Sequence, residues 1–257
     1  HLPIEHQRRM RATRGRVVRQ QGGLAKSDIA RITGLSAQTV SVIMRALEHD
    51  GLLLRGEPVR GRIGQPSVPM HLNPEGAFFL GLKIGRRSAD LTLIDFLGRV
   101  RATRRQVYRY PSPSAVVAFV EKAMPEVCAG LTAAEADRIG GLGVAMPFQL
   151  WSWVHQIGAP QAEMDAWRNR DVQAELAAIT NLPVYVQNDA TSACGAELVF
   201  GTGEKPKDFL YFYFGTFIGG GLVLNGQLFT GRHHDLRLHD VHAGDPFGHR
   251  MLNLHTG

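Results

Sequence analysis

Residues 24–41 read LAKSDIARITGLSAQTVS, and the spacing of their apolar and small residues decides the first third of the chain. Ile29, Ala30 and Ile32 predict a short helix, which Thr33-Gly34 stops, because glycine is the usual residue past a helix C-terminus. Leu35-Ser36 opens the next helix, with the Ser36 hydroxyl placed to accept from an orphan backbone N–H. Val40, Ile43, Met44 and Leu47 recur at i, i+3, i+4 and i+7 and form one buried stripe, and Gly51 ends the helix. Two helices across a tight glycine turn, the second polar on its outer face, make a helix-turn-helix pattern. Its outward side chains are Ser36, Gln38, Thr39, Ser41 and Val42, with Arg45 one turn further on. Glutamine pairs bidentately with adenine, and arginine with guanine or phosphate.

The flanks agree with that pattern. Residues 6–21 carry six arginines among helix formers, and Gly22-Gly23 ends the helix they predict. Residues 52–54 and 68–72 read as paired strands. Between them, RGEPVRGRIGQP (residues 55–66) is a Gly/Pro-rich hairpin tip whose three arginines are Arg55, Arg60 and Arg62. Such a wing suits a minor groove or phosphates. Residues 1–75 hold 12 Lys/Arg against 6 Asp/Glu, whereas residues 76–257 hold 17 of each. The whole positive excess therefore sits in the first module, as expected where phosphate backbones are met. A solvated basic face, or a three-helix module for protein contacts, shares the charge but not the spacing and the arginine-bearing tip together.

Composition bounds the rest. Hydrophobic residues make up 44% of the 257 and charged residues 20%, which fits a globular protein. No run of eighteen apolar residues predicts a membrane span, and the basic first twenty residues lack the apolar core of an export signal. Cys128 and Cys194 have neither a disulfide framework nor zinc-site spacing, so a reducing cytoplasm is expected.

After residue 76 strand and helix patterns alternate, which predicts an α/β domain. Strands are expected at 78–84, 89–96, 99–108, 139–146, 184–186 and 209–214, and helices at 114–128, 164–180 and 190–200.

Three segments of the first module resemble the DNA-binding head of ROK-family regulators: residues 24–41, Leu47-Glu48-His49-Asp50-Gly51-Leu52-Leu53, and Gly61-Arg62-Ile63-Gly64-Gln65-Pro66. Ala25 departs from the Ser or Thr usual there, a lost cap worth about 1 kcal/mol. The family unites sugar-responsive repressors with sugar kinases. Its resemblance continues from about Gly81 to Gly231 and implies an actin-like, hexokinase-like fold. The division expected is a winged helix-turn-helix over residues 1–75 and an incomplete sugar-binding domain over residues 76–257.

The same resemblance implies the site. Kinases of the family carry an acid and paired glycines in a first phosphate loop, so that backbone can approach phosphate and a carboxylate can serve magnesium. The matching stretch is Lys83-Ile84-Gly85-Arg86-Arg87-Ser88, with Lys83 in place of the acid and Arg86 in place of a glycine. The second loop matches Gly215-Thr216-Phe217-Ile218-Gly219-Gly220-Gly221, where Phe217 replaces a glycine; the glycines alone read equally as a tight turn. Asn188-Asp189 matches the family's sugar-binding pair, and Gly143-Val144-Ala145-Met146-Pro147 its sugar-side loop, with Phe148 where glycine is usual. The implied sugar contacts are Pro147, Asn188 and Asp189; without the surrounding match, Asn188 and Asp189 read as a helix cap.

Beyond about residue 231 the resemblance fades. Asp245-Pro246-Phe247-Gly248-His249 lies too far along to take the family's acid-Gly-His role, and the family's cysteine-rich zinc motif has no counterpart, so no cofactor is expected. Six of eleven histidines fall between His233 and His255; they lack the helical i, i+4 repeat of a metal site, and a polar tail is the expectation. The sequence thus predicts a sugar-responsive repressor, not an enzyme, binding an operator as a homodimer, because such heads read paired half-sites. An ATP-dependent sugar kinase and a regulator that has lost its ligand response are the alternatives.

Overall fold

Ser36 does what its position predicts. In a computed structural model of the protein its side chain accepts from Thr39 N at 3.1 Å and starts the helix Ala37–His49. The structure describes residues 23–58, 68–147, 150–154, 158–201, 206–214 and 218–230. The helix expected at 6–21, the hairpin tip with Arg60 and Arg62, Phe148, residues 215–217 with Phe217, and the histidine-rich residues after 231 lie outside these.

The described chain falls into two compact units. One holds the residues up to Phe79 together with Ile94–Arg101 and Leu131–Gly140; the other holds the remainder.

In the first unit, α1 (Lys26–Thr33) ends at Gly34, whose φ of 69° is the left-handed conformation that lets the chain turn at once into α2 (Ala37–His49). No side chain caps α1, as Ala25 foretold. Strand β1 (Leu53–Arg55) pairs antiparallel with β2 (Met70–Leu72), Leu53 opposite Leu72. Leu24, Ile29, Val40, Met44, Leu53, Met70 and Leu72 close a small core, with Leu35 and Leu47 packed against it. Strand β1 starts one residue later than expected at the same length, and β2 is two residues shorter than expected. Asn73 explains one end: its side-chain amide donates to Gly51 O at 2.8 Å, and its carbonyl oxygen caps the 3-10 turn Pro74–Gly76.

The main sheet has five strands. In chain order they are β3 (Phe78–Ile84), β4 (Ser88–Asp95), β5 (Val100–Val107), β6 (Ile139–Met146) and β7 (Val184–Asn188), and in space the order is β5-β4-β3-β6-β7. Alternation in β3 and β4 puts Leu80, Leu82, Ile84, Leu91 and Leu93 on one buried face. Helix α3 (Pro113–Cys128) buries Val116, Phe119, Val120, Ala123 and Val127. A single turn, α4 (Ala133–Ala136), carries a capping box between Thr132 and Glu135.

One helix expected over 164–180 is two. Arg170 is extended between α5 (Gln161–Asn169) and α6 (Val172–Thr180), and the Asp171 carboxylate accepts from Ala174 N at 2.9 Å to start the second. Apolar periodicity continued across the break, so only the cap marked it.

The remaining elements are α7 (Asp189–Phe200) and a three-stranded antiparallel sheet of β8 (Phe209–Phe214), β9 (Ile218–Leu224) and β10 (Gln227–Phe229), ordered β10-β9-β8. Gly219 to Gly221 are therefore strand, not a tight turn. They are small because α7 crosses them: a Cβ on Gly219 would lie 2.9 Å from Ala190 Cβ, and one on Gly221 2.4 Å from Cys194 Cβ. Among the described residues no helix is long and apolar enough to cross a membrane.

Candidate functional site

Two sets of candidate residues emerge, one in each unit. On α2 the buried stripe is Val40 and Met44, and the opposite face is Gln38, Thr39, Val42 and Arg45, all exposed, with Ser41 half-buried beside them. Val42 keeps 54% of its surface open on this face. Arg45 Nε leans back on Ser41 O at 3.3 Å, which leaves the other guanidinium donors outward. Ser36 and Thr39 are engaged with each other, their hydroxyls 2.8 Å apart, so Ser36 serves the helix start. The exposed face keeps the remaining candidates together in about two helical turns.

The ribbon is tied to that helix by charge. Arg55 of β1 donates to both carboxylate oxygens of Glu48 in the last turns of α2, at 2.5 and 3.0 Å. This bidentate bond, the largest influence on Glu48, holds its carboxyl below the ordinary value and raises the Arg55 guanidinium.

The second set gathers at one end of the main sheet. Phe78 N donates to Arg138 O, so β3 and β6 start side by side and run the same way, and β6 pairs parallel with β7, Met146 opposite Asn188. The carboxyl ends of β3, β6 and β7 therefore share one edge, the usual place for ligands in an α/β sheet. Pro147, buried, follows β6; Asn188 ends β7. The Asn188 side chain accepts from Ala190 N at 3.0 Å and Thr191 N at 3.2 Å and so caps α7. Asp189 Oδ1 accepts from Ala190 N at 2.9 Å, at the positive end of the same helix, where a carboxylate is favoured. The cap reading of Asn188 thus holds, and Asp189 stands next to it at the sheet edge.

Beside these lies the turn between β3 and β4, Gly85-Arg86-Arg87, closed by Gly85 N on Ser88 O at 2.9 Å. The end of β5 is sewn to it: Tyr108 N donates to Arg87 O at 2.9 Å, and Tyr108 OH to Gly85 O at 2.7 Å. Burial, and then the nearby Asp90 carboxylate, holds the phenol above its ordinary range, so it stays a donor. The backbone at Arg109 thereby follows directly on the residue tied to the turn that carries Arg86 and Arg87. Neither Arg87 nor Arg109 was singled out from the sequence. Their proximity follows from strand pairing, since β5 returns along β4 to the turn that joins β3 and β4.

The model of the ROK family matches residues 79–235, more than half of the chain. A transcriptional regulator of Mycobacterium bovis is 29% identical over 83% of this chain and 48% of its own length. The xylose repressor of Bacillus spizizenii is 22% identical over 81% of this chain and 53% of its own. A glucokinase of Streptomyces coelicolor is 27% identical over 59% of this chain and 45% of its own. Among solved structures, a ROK family transcriptional regulator, a homologue of the E. coli MLC protein, superposes with a TM-score of 0.61 at 23% identity, over 87% of this chain and 57% of that one. The chain spans about half the length of the curated relatives it matches. The α/β body is of the actin-like, hexokinase-like kind, and the chain belongs to the ROK family.

Proposed function

We propose that this protein is a sugar-responsive transcriptional regulator, a repressor, whose first unit is a winged helix-turn-helix that reads DNA. The observation carrying this is the α2 face. Gln38, Thr39, Val42 and Arg45 are exposed along it while Val40 and Met44 anchor the helix from behind. A helix held that way can enter a major groove with base-reading side chains forward. The local positive excess supplies the phosphate term, and Arg60 and Arg62 of the tip are read as wing contacts. The relatives named as a transcriptional regulator and a xylose repressor support the reading. Paired half-sites call for a homodimer.

The sugar would be held at the sheet edge by Pro147 and Asp189, with Asn188 fixing the helix start beneath it. Its effect on DNA binding would come from preferring one arrangement of the two heads. The glucokinase relative favours a second reading, a sugar kinase. Lys83, near the end of β3, and Arg86, in the turn after it, lie in the stretch that resembles a phosphate loop and weigh against it: neither carries a carboxylate for magnesium. Hexose-dependent ATP turnover lost in Asp189→Asn would establish the kinase instead.

The test is selection from a genomic DNA-fragment library by the purified chain, at two salt concentrations, beside Arg45→Ala. Enrichment of a palindromic site that the variant loses supports the regulator. Weak, salt-sensitive binding with no enriched site would reduce the first module to an electrostatic patch.

A further inference from the structure

We infer that the sugar derivative this protein senses is anionic, its phosphate or carboxylate received by Arg86, Arg87 and Arg109 at the same sheet edge that carries Asp189. The inference rests on the sensor reading above and deepens it. Its ground is how charge is distributed along one hairpin. Arginines further back along β5 are each neutralised: Arg104 pairs with Glu126 at 2.7 Å, Arg105 with Asp90, and Arg101 faces Asp95 at 3.7 Å. At the edge the pattern stops. Among the described residues no carboxylate pairs with Lys83, Arg86, Arg87 or Arg109.

These cations are not scattered. Arg86 and Arg87 form the β3–β4 turn, and the two hydrogen bonds from Tyr108 fix Arg109 next to it. Arg86 is half-buried and, among the described residues, is faced by no carboxylate. The parallel β3, β6 and β7 end together, which sets this turn along the same edge as Pro147 and Asp189. A neutral sugar would use the carboxylate and leave the cations idle. A sugar carrying a phosphate ester or a carboxylate would use both: hydroxyls donate to Asp189, and the planar guanidinium forks take the anion bidentately.

Isothermal titration of the whole chain decides the matter. The probes are glucose, mannose and xylose, a phosphate ester of each, glucuronate, and inorganic phosphate. At least one anionic derivative is expected to bind tenfold or more tightly than its neutral parent. Preference for an ester assigns phosphate, and preference for glucuronate assigns carboxylate. In Arg86→Gln/Arg87→Gln that advantage should vanish while the parent's affinity stays. In Asp189→Asn both should weaken. Equal affinity of parent and derivative would overturn the inference and leave the sugar sensor standing. Ester binding that inorganic phosphate matches, and that Asp189→Asn does not change, would overturn it as a bare cation patch. Absence of binding by every sugar would sink the sensor reading and this inference together. Unfolding midpoints of the variants, measured beside the parent, guard against misfolding.

Discussion

Gly221 of β9 lies so close beneath Cys194 of α7 that a Cβ at position 221 would stand 2.4 Å from the cysteine's Cβ and 2.8 Å from its sulfur. Contact at that range leaves no room for a methyl group. Gly221→Ala should therefore force helix and sheet apart and destabilise this unit by about 1–3 kcal/mol. Gly219→Ala should act the same way through Ala190. There the pair can be tested directly: Gly219→Ala combined with Ala190→Gly should recover stability relative to the sum of the single changes. Urea unfolding of the parent, the two single variants and the double variant measures it, and strict additivity would mean that the two positions do not press on each other.

Those glycines also explain what the sequence concealed. Read along the chain, three successive glycines look like a turn or a phosphate loop. Read across space, they are a strand thinned so that α7 can cross it. Contacts between residues as far apart in the chain as Ala190 and Gly219 leave no trace in local periodicity. By contrast, the limits of β3, β6 and β8 were legible, because buried alternation or a bounded apolar run sets them. So was α2, since Ser36, the Val40–Met44 stripe and Gly51 all speak for one helix. The division at Arg170 was not, because the apolar spacing runs through it. At the sheet edge, Asp189 and Pro147 were found by resemblance, whereas Arg87 and Arg109 required knowing which strands pair.

Ser36→Ala removes the hydroxyl that accepts from Thr39 N and should cost about 1 kcal/mol in the first unit. Arg45→Ala should leave stability almost untouched, since Arg45 is exposed and its bond within the chain is a long one to Ser41 O. Loss of a base contact from Arg45 would weaken binding to the selected site by about 1–3 kcal/mol while barely changing non-specific binding. Fluorescence anisotropy on the selected duplex and a scrambled one separates these effects. An equal loss on both duplexes would make Arg45 a phosphate contact.

The Glu48–Arg55 bond ties the ribbon to α2, and its sign with pH follows from the lowered Glu48 carboxyl. A carboxyl depressed in the folded state adds stability above its unfolded value, near 4.5, and that contribution is lost as pH falls through the folded value. Glu48→Gln should therefore be less stable than the parent at neutral pH, and the gap should close in acid. Both groups are at the surface, so added salt should shrink the gap as well. Thermal midpoints of the two proteins across pH measure it. A gap that persists in acid would point to packing and not charge.

Tyr108 should matter to the sheet edge through geometry alone. Tyr108→Phe keeps the ring and removes the donor to Gly85 O, a loss of about 1 kcal/mol for one hydrogen bond. Since that bond fixes the turn carrying Arg86 and Arg87, the variant should also lose part of the preference for anionic over neutral sugar. Affinity for the neutral parent should stay as it was. Titration of parent and derivative against the variant tests this, and a uniform loss for both would mean that the hydroxyl supports the whole sheet edge and not the arginine turn alone.

Asn188 and Asp189 are adjacent, yet they should fail in different ways. The Asn188 side chain accepts from two backbone N–H groups at the start of α7, which leaves it little freedom to contact a sugar. Asn188→Ala should cost about 1 kcal/mol of stability as a lost cap, and Asn188→Asp, which keeps the acceptor, should recover most of it. Asp189→Asn retains an acceptor oxygen for Ala190 N, so the fold should hold. What it removes is the charged acceptor for sugar hydroxyls, and hydrogen bonds to a charged group are worth about 1.5–3 kcal/mol. Affinity should thus fall in Asp189→Asn by more than stability does, which loses only the favourable charge at the helix start, and stability should fall in Asn188→Ala ahead of affinity. Paired unfolding and titration experiments on both variants would show it; sugar binding that is indifferent to Asp189 would move the ligand elsewhere.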